Sequence, residues 1–152
     1  MLAALLIAAA ALSLVWQPWP PADIDIAARL QPPSASHWLG TDSLGRDIAS
    51  QLLVGAQTSI AVGVLAVAIG LGAGVALGLL AAARGGWADE WLMRVADVGF
   101  AFPALLSAVL LGAVYGPGIA TGVVAIGLFN VPVFARTTRA AALGVWSREY
   151  VL

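Results

Sequence analysis

The sequence predicts an all-α fold: a polytopic membrane helix bundle of about four transmembrane helices plus one surface helix. Three observations carry that expectation. Hydrophobic residues make up 61% of the chain and charged residues only 10%, a balance foreign to soluble domains. From Ile48 to Ala83 no side chain is ionisable. Within that run Ala66, Gly70, Gly74, Gly78 and Ala82 place a small residue at every fourth position. In lipid, where no hydrophobic drive joins helices, such a ladder lets two backbones approach and gain van der Waals contact.

The first apolar run, residues 1–19, is rich in alanine and leucine and ends in Trp16, Pro18, Trp19 and Pro20, a cluster suited to the headgroup level. No basic residue precedes it and no small-residue cleavage site follows before Trp16, so a transmembrane helix is expected rather than a signal peptide. Residues 20–58 form the sizeable polar region and are expected to be an extracytoplasmic segment. Pro20, Pro21, Pro32 and Pro33 make its first half irregular. In its second half Thr41, Asp42 and Ser43 are candidate caps for a surface helix over about 43–57, with Leu44, Ile48 and Leu52 on one face.

The second span, residues 59–83, would cover roughly 37 Å at about 1.5 Å per residue, enough to cross a hydrocarbon layer of about 30 Å. A third, 95–115, repeats the small-residue spacing at Ala104, Ala108, Gly112 and Gly116. The fourth, 117–135, follows the Tyr115-Gly116-Pro117-Gly118 turn, which is short enough to make the third and fourth helices antiparallel neighbours. Residues 136–152 are then expected on the cytoplasmic side. Arg84, Arg94, Arg136, Arg139 and Arg148 lie in segments of one side and Arg29 and Arg46 in the other, which by the positive-inside rule puts the N-terminus in the cytoplasm.

Composition also restricts the chemistry. Every basic residue is an arginine, so a P-loop lysine and a lysine Schiff base are excluded in this chain. Without cysteine there is no thiol chemistry or disulfide, and the single histidine, His37, is too few for a histidine metal cluster. A net charge of −1 offers no footprint for nucleic acid. Asp23, Asp25, Asp42 and Asp47 fall in the polar loop, and Ser107 has no histidine or lysine to activate it. No catalytic residue, cofactor or metal is therefore expected, and the protein is not read as an enzyme.

Four polar side chains stand out. Arg94 and Asp97, three apart on the third run, are expected to pair and fix where the helix enters the membrane. Asn130 lies within the fourth span, two residues before Pro132, which removes a helical hydrogen bond. Either an interhelical hydrogen bond or contact with a transported solute would suit it, and it is the candidate for a translocation path. His37 would either hydrogen-bond within its loop or sense pH.

The order of segments is more specific than any one of them. His37-Trp38-Leu39-Gly40-Thr41-Asp42-Ser43-Leu44-Gly45-Arg46-Asp47 resembles the signature before the second membrane helix of dipeptide and oligopeptide ABC-importer permeases of the C type. Gly85-Gly86-Trp87-Ala88-Asp89, Met93-Arg94-Val95-Ala96-Asp97, Pro103, Tyr115-Gly116-Pro117-Gly118 and Pro132-Val133-Phe134-Ala135-Arg136 with Arg139 continue the resemblance in register. Gln51 and Gln57 stand where that family usually has arginines. Glu149, Tyr150 and Val151 resemble the start of the ATPase-coupling loop.

The resemblance implies a multi-pass subunit of the bacterial inner membrane that contacts lipid. It pairs with a second permease subunit, is driven by cytoplasmic ATPase subunits and is fed by an extracytoplasmic solute-binding protein. Di- and oligopeptides or similar small solutes are the implied cargo. The coupling helix and later membrane helices of that family lie beyond the present sequence, so the chain is expected to be incomplete and incompetent for transport alone. The competing reading is a small helical scaffold or part of a secondary transporter without ATPase partners.

Overall fold

The computed structural model describes residues 1–101 and 104–146, and among them the chain is helical with no β-strand. The helices are α1 (Leu2–Val15), α2 (Ile48–Arg84), α3 (Gly86–Ala101), α4 (Ala104–Tyr115) and α5 (Ile119–Trp146). Two compact units divide within α2, one over Met1–Ala61 and the other from Val62 onward.

In the first unit α1 stops at Val15, where Trp16 turns extended (φ −143°, ψ 124°) and Pro18 and Pro20 follow. Its 14 residues span about 21 Å, shorter than the 1–19 helix expected. Ser13, buried on α1, lies 3.1 Å from Gln57 Oε1 on α2. Between them the chain is irregular except for one 3-10 turn, Ile26–Ala28.

The separate surface helix over 43–57 is not formed. Its apolar residues from Ile48 onward are the first turns of α2, which runs unbroken for 37 residues. No proline interrupts the sequence there, so nothing opposes propagation once the helix has started. The start is set by Asp47, whose carboxylate accepts the Ser50 amide at 2.7 Å; Thr41, Asp42 and Ser43 do not cap it.

In the second unit α5 packs against α3 and α4 and, through glycines, against α2. A methyl group added at Gly70 would lie 2.5 Å from Asn130 Cβ, at Gly74 2.6 Å from Phe134 Cβ, and at Gly78 2.5 Å from the Ala135 carbonyl oxygen. Ala66, Gly70, Gly74, Gly78 and Ala82 are all buried. The backbones of α2 and α5 are thus in direct contact along one stripe. On α4, by contrast, a methyl group at Gly112 would meet nothing within 4 Å, so the second ladder is not a close-packed seam there.

Within the expected third span, the described residues are helical on either side of 102–103, as α3 to Ala101 and as α4 from Ala104. Pro103 lies outside the described residues. The fourth span is longer than expected, because α5 continues through Pro132 to Trp146. Among the described residues two helices, α2 and α5, are long and apolar enough to cross a membrane.

Replacing Gly74 by leucine should push α2 from α5 and markedly lower the melting temperature of the purified chain in detergent. Gly72→Leu should leave it nearly unchanged, since a side chain there meets nothing within 4 Å. Equal behaviour of the two variants would rule out the glycine stripe as the contact.

Candidate functional site

The residues singled out in the sequence fall into two clusters, one in each unit. The first is the loop 37–47, folded ahead of α2 around two carboxylates. Thr41 and Asp47 face each other in an isolated antiparallel bridge, and Gly45 (φ 79°) closes the turn with its amide donating to the Asp42 carbonyl at 3.1 Å. A Cβ on Gly45 would collide with the Asp25 carbonyl oxygen, so both the dihedral and the contact require glycine. Gly40 is likewise left-handed, at φ 76°.

Asp42 accepts from the Leu44 amide at 2.8 Å, the Arg46 amide at 2.9 Å, Arg46 Nε at 2.8 Å and Gln51 Nε2 at 3.3 Å. Desolvation raises its pKa, yet the bonds from Arg46, Leu44 and Gln51 outweigh that and hold the carboxyl well below its ordinary range. Gln51 thus donates a neutral hydrogen bond to this carboxylate.

Asp47 is only 3% exposed. Besides the Ser50 amide, its Oδ2 accepts the Ser50 hydroxyl at 2.8 Å, and its Oδ1 lies 3.0 Å from His37 Nδ1, an arrangement that places the ring proton on Nδ1. Burial raises the Asp47 pKa, but the bonds from Ser50 and His37 bring it below the ordinary value. The His37 ring also packs on Trp19, with centroids 5.1 Å apart. The Thr41 hydroxyl accepts the Gln31 amide at 2.8 Å and donates to the Ala28 carbonyl. Leu39 remains exposed. These polar groups satisfy one another; the loop is a braced structure rather than a reaction centre.

The second cluster joins α3 to α5. Gly85 and Gly86, both left-handed at φ 58° and 51°, turn the chain between Arg84 and Trp87. On α3, Asp89 receives both Nε and Nη2 of Arg139, and Asp97 pairs with Arg136. The expected Arg94–Asp97 pair is not formed: Arg94 reaches back to Glu90 at 2.6 Å, one turn earlier. Arg94 points to the outer side of α3, whereas Asp97 meets α5, where a guanidinium awaits it. Sequence spacing missed the partner because Arg136 lies 39 residues away.

Asn130 is half-buried with its Cβ against the Gly70 position, so its visible contact is packing between α5 and α2. It does not line the apolar cavity of about 420 Å³ between α4 and α5, which is bounded by Leu111, Tyr115, Ala120, Thr121, Val124 and Leu128. Pro132 is buried on α5, where it omits one backbone donor. Glu149, Tyr150 and Val151 lie outside the described residues. Among the described residues no group of three or more His, Cys, Asp or Glu is placed to hold a metal ion.

Residues 74–152 match the family model described as binding-protein-dependent transport system inner membrane component. The chain is 47% identical over 119 residues to a glutathione transport system permease protein of Pectobacterium atrosepticum, covering 78% of this chain and 40% of that protein. It is 41% identical over 144 residues to a probable D,D-dipeptide transport system permease protein of Escherichia coli K12, covering 92% and 48%. It is also 39% identical over 131 residues to a dipeptide transport system permease protein of Alkalihalophilus pseudofirmus, covering 86% and 43%. The chain thus spans less than half the length of these relatives.

Substituting Asp47 by alanine removes both the helix cap and the histidine partner, and should weaken the first turns of α2 by about 1–2 kcal/mol. Amide exchange at Ser50 and Gln51 would report it. Because the folded carboxyl titrates below its ordinary value of 3.8, its stabilisation is complete above that pH and lost as pH falls through the depressed value. The difference between parent and variant should therefore persist at neutral pH and fade only below about pH 4.

Proposed function

This chain belongs to the inner-membrane components of binding-protein-dependent transport systems, and from that premise we propose that it forms part of the membrane pathway of an ABC importer for short peptides, glutathione among them. The similarity to glutathione and dipeptide permeases over most of the chain carries this reading. Peptide cargo reaches the chain from an extracytoplasmic binding protein, on the side of the braced loop 37–47. The segments bearing Arg84, Arg94, Arg136, Arg139 and Arg148 lie on the cytoplasmic side, as does the N-terminus.

ATP chemistry belongs to separate ATPase subunits, consistent with a chain that contains no lysine for a P-loop. Glu149, Tyr150 and Val151 open the coupling loop on which those subunits act. A second permease subunit completes the pathway. Hydrolysis then rocks the paired permeases between inward- and outward-open states as packed bodies. α5 is suited to transmit that motion, since it is in backbone contact with α2 and ion-paired to α3. Asn130, on the same helix, is the candidate polar side chain for the path. A secondary transporter would use an intramembrane ionisable group for ion coupling; Asp97 is instead committed to Arg136.

A chimera tests the proposal. Residues 37–146 would replace the corresponding stretch of a full-length dipeptide permease in cells lacking that subunit, with uptake of labelled dipeptide and glutathione measured. Uptake of at least one, dependent on the ATPase subunits, is expected. A chimera that reaches the membrane and assembles with its partners yet imports neither would overturn it.

A further inference from the structure

Helix α3 carries two chemically different faces. Its inner face turns to α5: Ala96 is buried, and Asp89 and Asp97 are neutralised by Arg139 and Arg136. Its outer face is an arc of Trp87, Glu90, Trp91, Arg94, Val95 and Val98, residues that share one side of a helix at 100° per residue and are all exposed. Trp87 is 75% exposed and Trp91 52%, and their rings meet edge to face at 5.8 Å. Two indoles held against each other rather than buried in the protein leave large apolar surface exposed.

The place of this face along the chain says what it meets. The apolar surface of α2, with Leu71, Leu79 and Leu80 exposed, ends at Arg84, where the first charge after Asp47 appears. Trp87 follows three residues later across the Gly85–Gly86 turn, so it starts from the boundary at which α2 leaves hydrocarbon. From there the outer face of α3 changes along its length, aromatic and charged at Trp87 to Arg94 and purely aliphatic at Val95 and Val98. This order matches the gradient from headgroup to acyl chain. Arg84 and Arg94 complement lipid phosphates in charge, and the exposed Glu90–Arg94 pair, with side chains 60% and 70% exposed, holds its arginine too weakly to prevent that contact.

We infer that the outer face of α3 is a phospholipid-binding surface, with Trp87 and Trp91 at headgroup level, Arg94 on a lipid phosphate, and Val95 and Val98 in the acyl layer. The inference rests on the membrane location of the chain and not on its cargo. The inner-face ion pairs make the arrangement possible, because an unneutralised carboxylate would be costly at that depth.

The chain has no cysteine, so single nitroxide labels can be placed at will in lipid nanodiscs, at Trp91→Cys and Val98→Cys on this face, with Val67→Cys within α2 and Ala35→Cys in the exposed loop as references. Accessibility to oxygen and to a water-soluble nickel chelate gives depth. The label at Trp91 should sit near the phosphate level and that at Val98 up to roughly 10 Å deeper along the helix, with nickel accessibility at Val98 severalfold below that at Ala35. If Val67 is buried while Trp91 and Val98 are as open to nickel as Ala35, the face stands in water for a protein partner and the inference is overturned. Trp91 as deep as Val67 would also overturn it, since no interfacial anchor would then exist. A water-exposed Val67 would remove the membrane reading itself, and this inference with it.

Discussion

Three glycines on α2 stand where any side chain would collide with α5, and the geometry of the second unit follows from that closeness. Gly70, Gly74 and Gly78 meet Asn130, Phe134 and the Ala135 backbone at distances that leave no room for a methyl group. In lipid such contact is what two apolar helices can gain from each other, since moving leucine from lipid to protein gains little. With α2 settled on one side of α5, α3 and α4 occupy others, and the length of α5 through Pro132 to Trp146 carries the same helix from the glycine stripe to the arginines.

Electrostatics then governs what the glycines leave free. Asp89 and Asp97 on α3 meet Arg139 and Arg136 on α5, so the charges at that end are committed to holding helices rather than to chemistry. In the loop ahead of α2 the same pattern appears with different partners. Asp42 and Asp47 gather amides, a hydroxyl, an arginine and a histidine, and a buried carboxylate so supplied is stable as an anion. The result is a rigid entry to α2 in a segment whose composition reads as irregular.

Local patterns are legible from residues alone; partnerships across space are not. The four-residue spacing of small side chains marks a contact face, but nothing in residues 66–82 names Phe134 or Ala135 as what lies opposite. The turn at residues 115–118 and the apolar runs place the elements well. Boundaries are harder: the uncharged stretch ahead of residue 59 reads as a surface helix, because a change of direction leaves no mark when no proline or glycine cluster accompanies it. Arg94 and Asp97 have the spacing of a helical pair, yet each has a better-placed partner, Glu90 within the helix and Arg136 on α5. The signature His37 to Asp47 is recognisable as a string, while its physical content, a helix cap braced by an imidazole, emerges only when Asp47, Ser50 and His37 are seen together.

The direct contact of α2 with α5 is most simply measured by disulfide trapping. With Gly78 and Thr138 both changed to cysteine in this otherwise cysteine-free chain, the Cβ of residue 78 would start 2.9 Å from that of residue 138, closer than the roughly 3.5–4.5 Å of a disulfide, so α2 and α5 must part by about an ångström at that point for the bond to form. Mild oxidation in membranes should close an intramolecular bond rapidly, whereas a Gly72→Cys and Thr138→Cys pair should stay reduced. Failure of the first pair to cross-link, or its linking only between chains, would contradict the account.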